Sequence, residues 1–492
     1  MAIAETATLM DPGVWTGKIF DGEWITSEDG QYDAVEPATG DTIGTVGRAG
    51  AADAERAARR AAEAQAEWGA TPFIQRAEVL RRAGQLWQEH APEVMDWLVR
   101  ESGSTKPFAG FQVHVATEET YAAAALAAEP YGRLLRTEAP RLSMARRLPA
   151  GVVGVIAPFN APLILSIRSV APALALGNAV LLKPDPRTAI CGGVTLARIF
   201  VEAGLPPGLL HVLPGGPEIG EAIIVEPRVR IISFTGSTAA GRKVGALAAQ
   251  HLKRAHLELG GNSALIVLDD VDVDRAVAAA AWGSYFHQGQ ICMATSRHLV
   301  ASSIAEEYGS RLAAMADSLQ VGNPASQEVN LGPIIDERQR DSIHELVTSS
   351  VAAGATLAAG GTYQGLFYRP TVLTDVTAGM PAFRKEIFGP VAPVTPFTTL
   401  DEAVSLAADT EYGLSLAIMS RDVMKALDLA ERIPSGIVHI NEQTVDDEAI
   451  APFGGVGASG TGSRLGGKEW NLDAFTETQW VTVNGEIMPR PL

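Results

Sequence analysis

The sequence predicts an α/β protein built on parallel sheets with helices packed against both faces. Three observations carry that expectation. From Gly151 the chain alternates short apolar strands with helices: VVGVIAPFN and AVLLKP each lead into a helical stretch, LLHVLPG and RIISFTG are further strands, and a helix follows Gly236. The alternation resumes after Cys292, with HLVA, the stretch after Gly361, EIFGPVAPVTPF and GIVHIN as strands. A length of 492 residues exceeds one ordinary core, so two or three lobes are expected.

Residues 1–20 are weakly patterned. GEWITSEDGQYDAVEPATGDTIGTVGRAG has the turn pairs Asp29-Gly30 and Thr39-Gly40 between short strands. Ala51 to Trp68 is an amphipathic helix, more helix runs from about Ile74 to Ser102, and 112–128 is Ala-rich helix. RLLRTEAPRLSMARRLPAG reads as two charged strands joined around Ala139-Pro140. Such a hairpin cannot bury itself alone, which points to a partner subunit. Pro162 opens a helix that stops at Gly177. TAICGGVTLARIFVEAG is a helix with Gly204 at its end, and 304–318, 336–353, 401–408 and 422–432 are helices. The tail from Phe475 to Val483 is a strand that extends the hairpin's sheet.

Composition narrows the function. Hydrophobic residues make up 47% and charged residues 20%, as in a soluble globular protein. Asp plus Glu number 57 against 39 Lys plus Arg, a net −18, which argues against an extended nucleic-acid or anionic-membrane surface. No disulfide framework is expected from two cysteines, Cys191 and Cys292, and no HExxH-like pattern appears among nine histidines, so no metal site is expected. MAIAETATLM lacks a basic n-region, and Arg168 and Asn178 interrupt the best apolar run. The expected location is the cytoplasm.

The chemistry centres on Glu258 to Cys292. A lone cysteine is more often a buried apolar residue, but here ELGGN and GQICMATSR place a carboxylate and a thiol 34 positions apart, each beside glycines. A thiol attacks carbonyl carbon and a carboxylate activates water, so covalent catalysis followed by hydrolysis is the chemistry such a pair suggests. Asn160, Lys183, Ser237 and Glu258 all fall just after predicted strands, where one crevice of a parallel sheet would gather them. FTGSTAAGRKVG suits a pyrophosphate at a helix N-terminus. The GxGxxG from Gly455 to Gly460 follows APF rather than a strand, and is discounted as a dinucleotide fingerprint.

APFNAP, LKPDP, FTGSTAAG, ELGGN, GQICMATSR and EIFGPV stand in the order and spacing of the aldehyde dehydrogenase superfamily, which the chain resembles from about residue 20 to 480. FHQGQICMATSRHLV and FGGVGASGTGSRLGG look most like its benzaldehyde or vanillin dehydrogenase branch. The resemblance implies a Rossmann-type cofactor domain (1–130 and 149–258), a second α/β catalytic domain (259–470) and a β-hairpin oligomerisation arm (131–148 and 471–492). It implies NAD(P)-dependent oxidation of an aldehyde to its acid by a homodimer or homotetramer.

By the same resemblance Cys292 is the nucleophile, Asn160 and the Cys292 backbone N–H form the oxyanion hole, and Glu258 activates water. Lys183 and Glu386 would hold the cofactor riboses and Phe388 the nicotinamide side. The Gly236 to Gly241 turn with Ser237 would take the phosphates, with Ala157, Pro158 and Phe159 alongside. The chain departs from the pattern twice. Where many NAD-preferring members carry a ribose-binding glutamate it has Pro186, flanked by Asp185 and Arg187. Asp185 would substitute for it, or Arg187 would accept a 2′-phosphate; NAD is the expectation and NADP the alternative. Arg464 stands where a glutamate with a proton-relay role is sometimes found.

Ala161, Arg168, Tyr285, Phe286 and Phe453 are the candidate substrate pocket, with Arg168 expected at the entrance and the aromatics as walls for a ring. The rival readings are a cofactor-independent hydrolase pairing Cys292 with His287, a CoA-acylating dehydrogenase, and a non-catalytic scaffold.

Overall fold

Val, Ile and Leu dominate the strands from 152 to 267, and burial on both faces is what such runs require. The computed structural model describes residues 8–488. The earliest part of the N-terminal segment (1–7) and the last four residues of the predicted arm lie outside the described residues.

The first sheet has seven strands. Arg254–Glu258, Val229–Thr235, Val152–Ile156, Ala179–Lys183 and Leu210–Val212 run parallel in that order, and Lys18–Asp21 and Trp24–Thr26 close the edge antiparallel. Its central strands Val152–Ile156 and Ala179–Lys183 are buried at every position. The second sheet also has seven strands. Thr371–Thr374, Val391–Phe397, Thr295–Ala301, Ser263–Val267, Ser415–Met419 and Ile437–Ile440 are parallel, with Thr356–Ala359 antiparallel at one edge. Thus the predicted α/β class holds, and both alternating stretches are sheets with helices against them.

Helices begin and end where the sequence signals it. Pro162 occupies the first turn of Pro162–Ala175, and Gly177, at φ +88°, turns the chain out of it into the next strand. Ser237 caps Thr238–Gln250 by accepting from the Ala240 amide at 3.3 Å, and Asp336 caps Glu337–Ala352 by accepting from Gln339 at 2.8 Å.

Two details differ from the sequence expectation. Helix was expected without a break from about Ile74 to Ser102; it divides at His90 into Phe73–Glu89 and Ala91–Ser102, because Pro92 favours a first turn. The helix expected over TAICGGVTLARIF instead opens with a π-helical turn, Ile190–Val194, before Thr195–Glu202. A Cβ at Gly192 would stand 2.9 Å from Pro162 Cβ, and at Gly193 2.8 Å from Val212, so the glycines allow this wide turn to press against helix Pro162–Ala175 and strand Leu210–Val212. Glu101, fully buried, accepts from the amides of Ile190 and Cys191 at 2.9 and 2.7 Å and satisfies the turn's start. Cys191 is sealed inside.

Thr476–Val483 pairs with Leu142–Pro149, which pairs with Gly132–Leu134, in a three-stranded antiparallel sheet apart from the other two. The tail therefore extends the hairpin. Leu134 is 77% exposed and Trp480 65%.

Candidate active site

Cys292 lies on the wall of a cavity of about 580 Å³. The loop that carries it is strained: His287 and Gln288 have φ of +48° and +56°, a region that bulky side chains avoid. Gln288 is held there by donating to the carbonyls of Gly103 and Pro333 at 3.1 and 3.0 Å. The cavity brings Asn160, Ala161, Arg168, Phe286, Cys292 and Phe453 together. Asn160 and Ala161 are placed by the loop between strand Val152–Ile156 and helix Pro162–Ala175.

Tyr285 is a correction. It is buried in the second lobe's core and its hydroxyl donates to the Thr371 carbonyl at 3.3 Å, so it does not reach the cavity. Periodicity explains the miss: Tyr285 and Phe286 are adjacent, and adjacent helical positions face different ways. Arg168 is the second correction. It is buried in the cavity wall rather than standing at the entrance, paired with Glu119 at 3.0 Å and Asp447 at 2.5 Å, over the Phe453 ring at 4.8 Å. Burial and the neighbouring Asp447 hold the Glu119 carboxyl up at about 7. Arg168 Nη1 has no hydrogen-bond partner.

Sequence reasoning missed much of the aromatic wall. Trp282 stacks on Phe286 at 4.2 Å, and Phe108 meets Phe286 edge-on at 5.0 Å. Phe108 and Phe111 come from helix Lys106–Leu126, far away in sequence. Their signal was the i, i+3 spacing of two rings at a helix start, and for Trp282 the i, i+4 spacing to Phe286.

Glu258 ends its strand and is not among the cavity-lining residues. It is 3% exposed and both carboxylate oxygens lack a partner. Burial pushes its pKa well above the ordinary range, opposed by the charges of Arg464 and Arg168 and by the nearby Gly455 amide, which approaches without completing a hydrogen bond. The two glycines after it have separate tasks. A Cβ at Gly261 would stand 2.4 Å from the Cys292 carbonyl oxygen, and at Gly260 2.3 Å from the Glu386 carboxylate. Gly261 also donates to Glu386 at 3.0 Å. The ELGGN motif thereby brings thiol loop, strand end and Glu386 together. Burial raises Glu386 to about 7.

Burial pushes the Cys292 thiol up to about 12, with Glu386, Glu258 and Asp447 adding to it and Arg168 opposing. The thiol is thus held protonated at neutral pH by its own protein. A cation brought beside it would lower the thiol pKa and raise its thiolate fraction. Iodoacetamide labelling of Cys292 at fixed pH is expected to accelerate on adding oxidised nicotinamide cofactor; an unchanged rate would show that the cofactor does not arm the thiol.

The residues expected to hold a cofactor follow the carboxyl ends of the first sheet's strands, apart from Glu386 and Phe388. Lys183 is buried at its strand end and donates only to the Pro184 carbonyl, at 3.3 Å; burial lowers its pKa. Gly236 and exposed Ser237 present the start of a 13-residue helix, and at Gly241 a Cβ would stand 2.2 Å from Leu259. Ala157 donates to the Lys183 carbonyl at 3.0 Å, which fixes Ala157, Pro158 and Phe159 beside it. Phe159 meets Phe388 edge-on at 5.9 Å; Phe388 sits at φ +52°. An under-used lysine, a helix start and the Glu386 carboxyl, held on one oxygen by Gly261, fit a dinucleotide. Asp185 and Arg187, by contrast, are not free alternatives. Arg187 donates to both Asp185 oxygens at 2.9 and 2.8 Å and to Asp336 at 2.7 Å, with Phe159 beneath it at 4.2 Å.

The hydrolase reading finds no support here. His287 is buried with neither ring nitrogen hydrogen-bonded, its ring against Phe108 at 4.3 Å, and burial lowers it to about 3. It is not engaged with Cys292.

The profile of the aldehyde dehydrogenase family matches residues 24–481. The chain belongs to the aldehyde dehydrogenase family. A vanillin dehydrogenase from an Amycolatopsis species is 64% identical over 98% of this chain and 100% of that relative. A benzaldehyde dehydrogenase [NAD(+)] from Pseudomonas putida is 47% identical over 96% of each. Among solved structures, a salicylaldehyde dehydrogenase from Pseudomonas putida G7 complexed with salicylaldehyde superposes with a TM-score of 0.93 at 35% identity, covering 96% of this chain and 99% of that one. A betaine aldehyde dehydrogenase from Staphylococcus aureus in complex with NAD+ gives 0.94 at 31%, covering 99% and 98%. As an aldehyde dehydrogenase the chain is an NAD(P)-using oxidoreductase acting on aldehydes. Among the described residues no cluster suited to a metal ion occurs, and no helix is long and apolar enough to cross a membrane.

Proposed function

We propose that this aldehyde dehydrogenase oxidises aromatic aldehydes to their carboxylic acids, with NAD preferred. The observation that carries the reading is Cys292 on the wall of a cavity lined by Phe108, Phe111, Trp282, Phe286 and Phe453. Flat rings match aromatic walls. The polar part of the wall, Arg168 with a spare Nη1 beside Asp447, suits a ring bearing an oxygen substituent. The names of the vanillin, benzaldehyde and salicylaldehyde dehydrogenases agree with it.

In this mechanism the Cys292 thiol gives up its proton to solvent, its sulfur bonds to the carbonyl carbon and the carbonyl oxygen becomes an oxyanion. The Asn160 side chain and the Cys292 amide donate to it. A nicotinamide dinucleotide held by Lys183, Glu386 and the Gly236 to Gly241 turn would supply the acceptor for the hydride leaving that carbon. Collapse of the oxyanion leaves a thioester on Cys292. Glu258 takes a proton from water, the water oxygen bonds to the acyl carbon, and the carbon–sulfur bond breaks to release the acid. A CoA-acylating enzyme would need no such base, so the unpartnered Glu258 favours hydrolysis.

NAD preference rests on Arg187. Two carboxylates already neutralise it, which leaves it poorly placed to hold a 2′-phosphate. The assembly follows from the arm. A three-stranded sheet with Leu134 and Trp480 bare calls for a second copy of the chain, in a homodimer or homotetramer. Nothing in the net charge of −18 favours nucleic acid or an anionic membrane, and the cytoplasm remains the proposed location.

A screen at 340 nm with NAD or NADP against several aldehydes tests the reading. Burying a ring instead of a methyl group removes roughly 100 Å² more from water, about 2.5 kcal/mol, so benzaldehyde is expected to exceed acetaldehyde in kcat/KM by about two orders of magnitude. A preference for acetaldehyde would overturn the aromatic assignment, and a higher kcat/KM with NADP the cofactor assignment.

A further inference from the structure

The glycine-rich segment Gly455 to Gly460 has the spacing of a phosphate-binding turn, but its neighbours in space are those of Glu258. Gly460 forms an isolated antiparallel bridge with Glu258, and the Leu259 amide donates to the Ser459 carbonyl at 2.9 Å. A Cβ at Gly460 would stand 2.8 Å from the Leu257 carbonyl oxygen. The loop therefore lies directly on the strand end that carries the catalytic carboxyl, and only glycine permits the approach.

Arg464 clasps the other side of this loop. Its Nη1 donates to the carbonyls of Gly455 and Ser463 at 3.1 and 2.9 Å, so its guanidinium is bonded to backbone rather than to a carboxylate. Its stem fills the space over Gly454, where a Cβ would meet Arg464 Cδ at 2.8 Å. The charged and titratable groups around Glu258 are Arg464 from this loop, Arg168 from helix Pro162–Ala175, and the Cys292 thiol. Arg168 is committed to Glu119 and Asp447. Arg464 and Arg168 are the positive charges opposing the burial of Glu258, and of the two only Arg464 is not paired with a carboxylate.

We propose that Arg464 is a positioning residue for Glu258: it fixes the 454–460 loop against the strand end and supplies the positive charge that lets a buried carboxyl ionise and activate water. This rests on Glu258 being the base that hydrolyses the thioester. Arg464 thus takes up part of the task of the relay glutamate that some relatives carry at its position, by charge rather than by proton transfer. The atoms of the reaction are unchanged; only the pH at which Glu258 accepts the water proton moves.

The test is the pH profile of kcat beside the pre-steady-state burst of reduced cofactor, in the parent enzyme, Arg464→Gln, Arg464→Lys and Glu258→Gln. Losing the charge raises the Glu258 pKa, so the acid limb of kcat in Arg464→Gln is expected to move up by about one pH unit, with the burst rate unchanged. Arg464→Lys restores most of the limb, which a purely structural role would not do. Arg464→Met keeps the apolar stem over Gly454 and serves if the Gln variant fails to fold, with the same outcomes. A limb unmoved in the neutral variants, or moved equally by Lys, overturns the proposal. Glu258→Gln separates the two ideas. Steady turnover at the parent rate there would remove Glu258 as the base. A stall after the burst there, with the Arg464→Gln limb unmoved, would remove only Arg464.

Discussion

Cys292→Ala is expected to abolish cofactor reduction, by at least roughly 10⁴-fold in kcat, while the fold and cofactor binding persist. The physical reason is that no other group on the cavity wall can make the covalent bond. Cys191 is fully buried, and His287 is buried, neutral and turned into the packing around Phe108. The change removes one sulfur atom from a cavity wall, so it leaves room rather than a clash. Circular dichroism and cofactor titration of the variant check that the protein is intact. Formation of reduced cofactor at the parent rate would sink the covalent mechanism, because hydride transfer would then proceed without the tetrahedral adduct.

Asn160→Ala is expected to lower kcat by about 10²–10³-fold, or roughly 3–4 kcal/mol. Asn160 is 5% exposed and lies at the tip of the loop leaving a central, fully buried strand. A donor held there faces little reorganisation when the oxyanion forms, which is why one side chain has so large an effect. Substrate affinity should change far less, since the ground-state carbonyl gains little from the same contact. Asn160→Asp is expected to be at least as damaging, since a carboxylate would face the developing negative charge. Rapid-quench measurement of acylation checks both variants; an acylation rate within about threefold of the parent in Asn160→Ala would show that the backbone amide alone suffices.

Much of the fold was legible because its signals are local. Apolar runs bounded by Pro162, Gly177 and Gly204 mark strand–helix units directly, and the tail strand could be joined to the hairpin because both needed a partner. The π-helical turn was not legible, since Ile190 to Val194 reads as helix by any 3.6-residue count. The close packing that goes with it, Gly192 against the start of helix Pro162–Ala175, exists only once these elements have come together.

The site divides in the same way. Cys292, Asn160 and Lys183 were found from glycines and strand ends, which are features of one segment at a time. Phe108 and Asp447 enter the site from segments distant in sequence, and the pairing of Arg168 with Glu119 and Asp447 depends on three elements meeting. Asp185 and Arg187 looked like alternatives in sequence because each was considered against a ligand. In space each satisfies the other, and Asp336 from the second lobe completes the set.

The burial of Cys191 has a consequence for oxidative damage. It lies within the π-helical turn, fully buried, with burial raising its thiol pKa well above the ordinary value, so it remains an unreactive thiol. A sulfenic acid formed on Cys292 therefore has no resolving cysteine in its own chain. Its rescue, or its progress to irreversible sulfinic acid, is decided by small thiols that must enter through the substrate's own cavity.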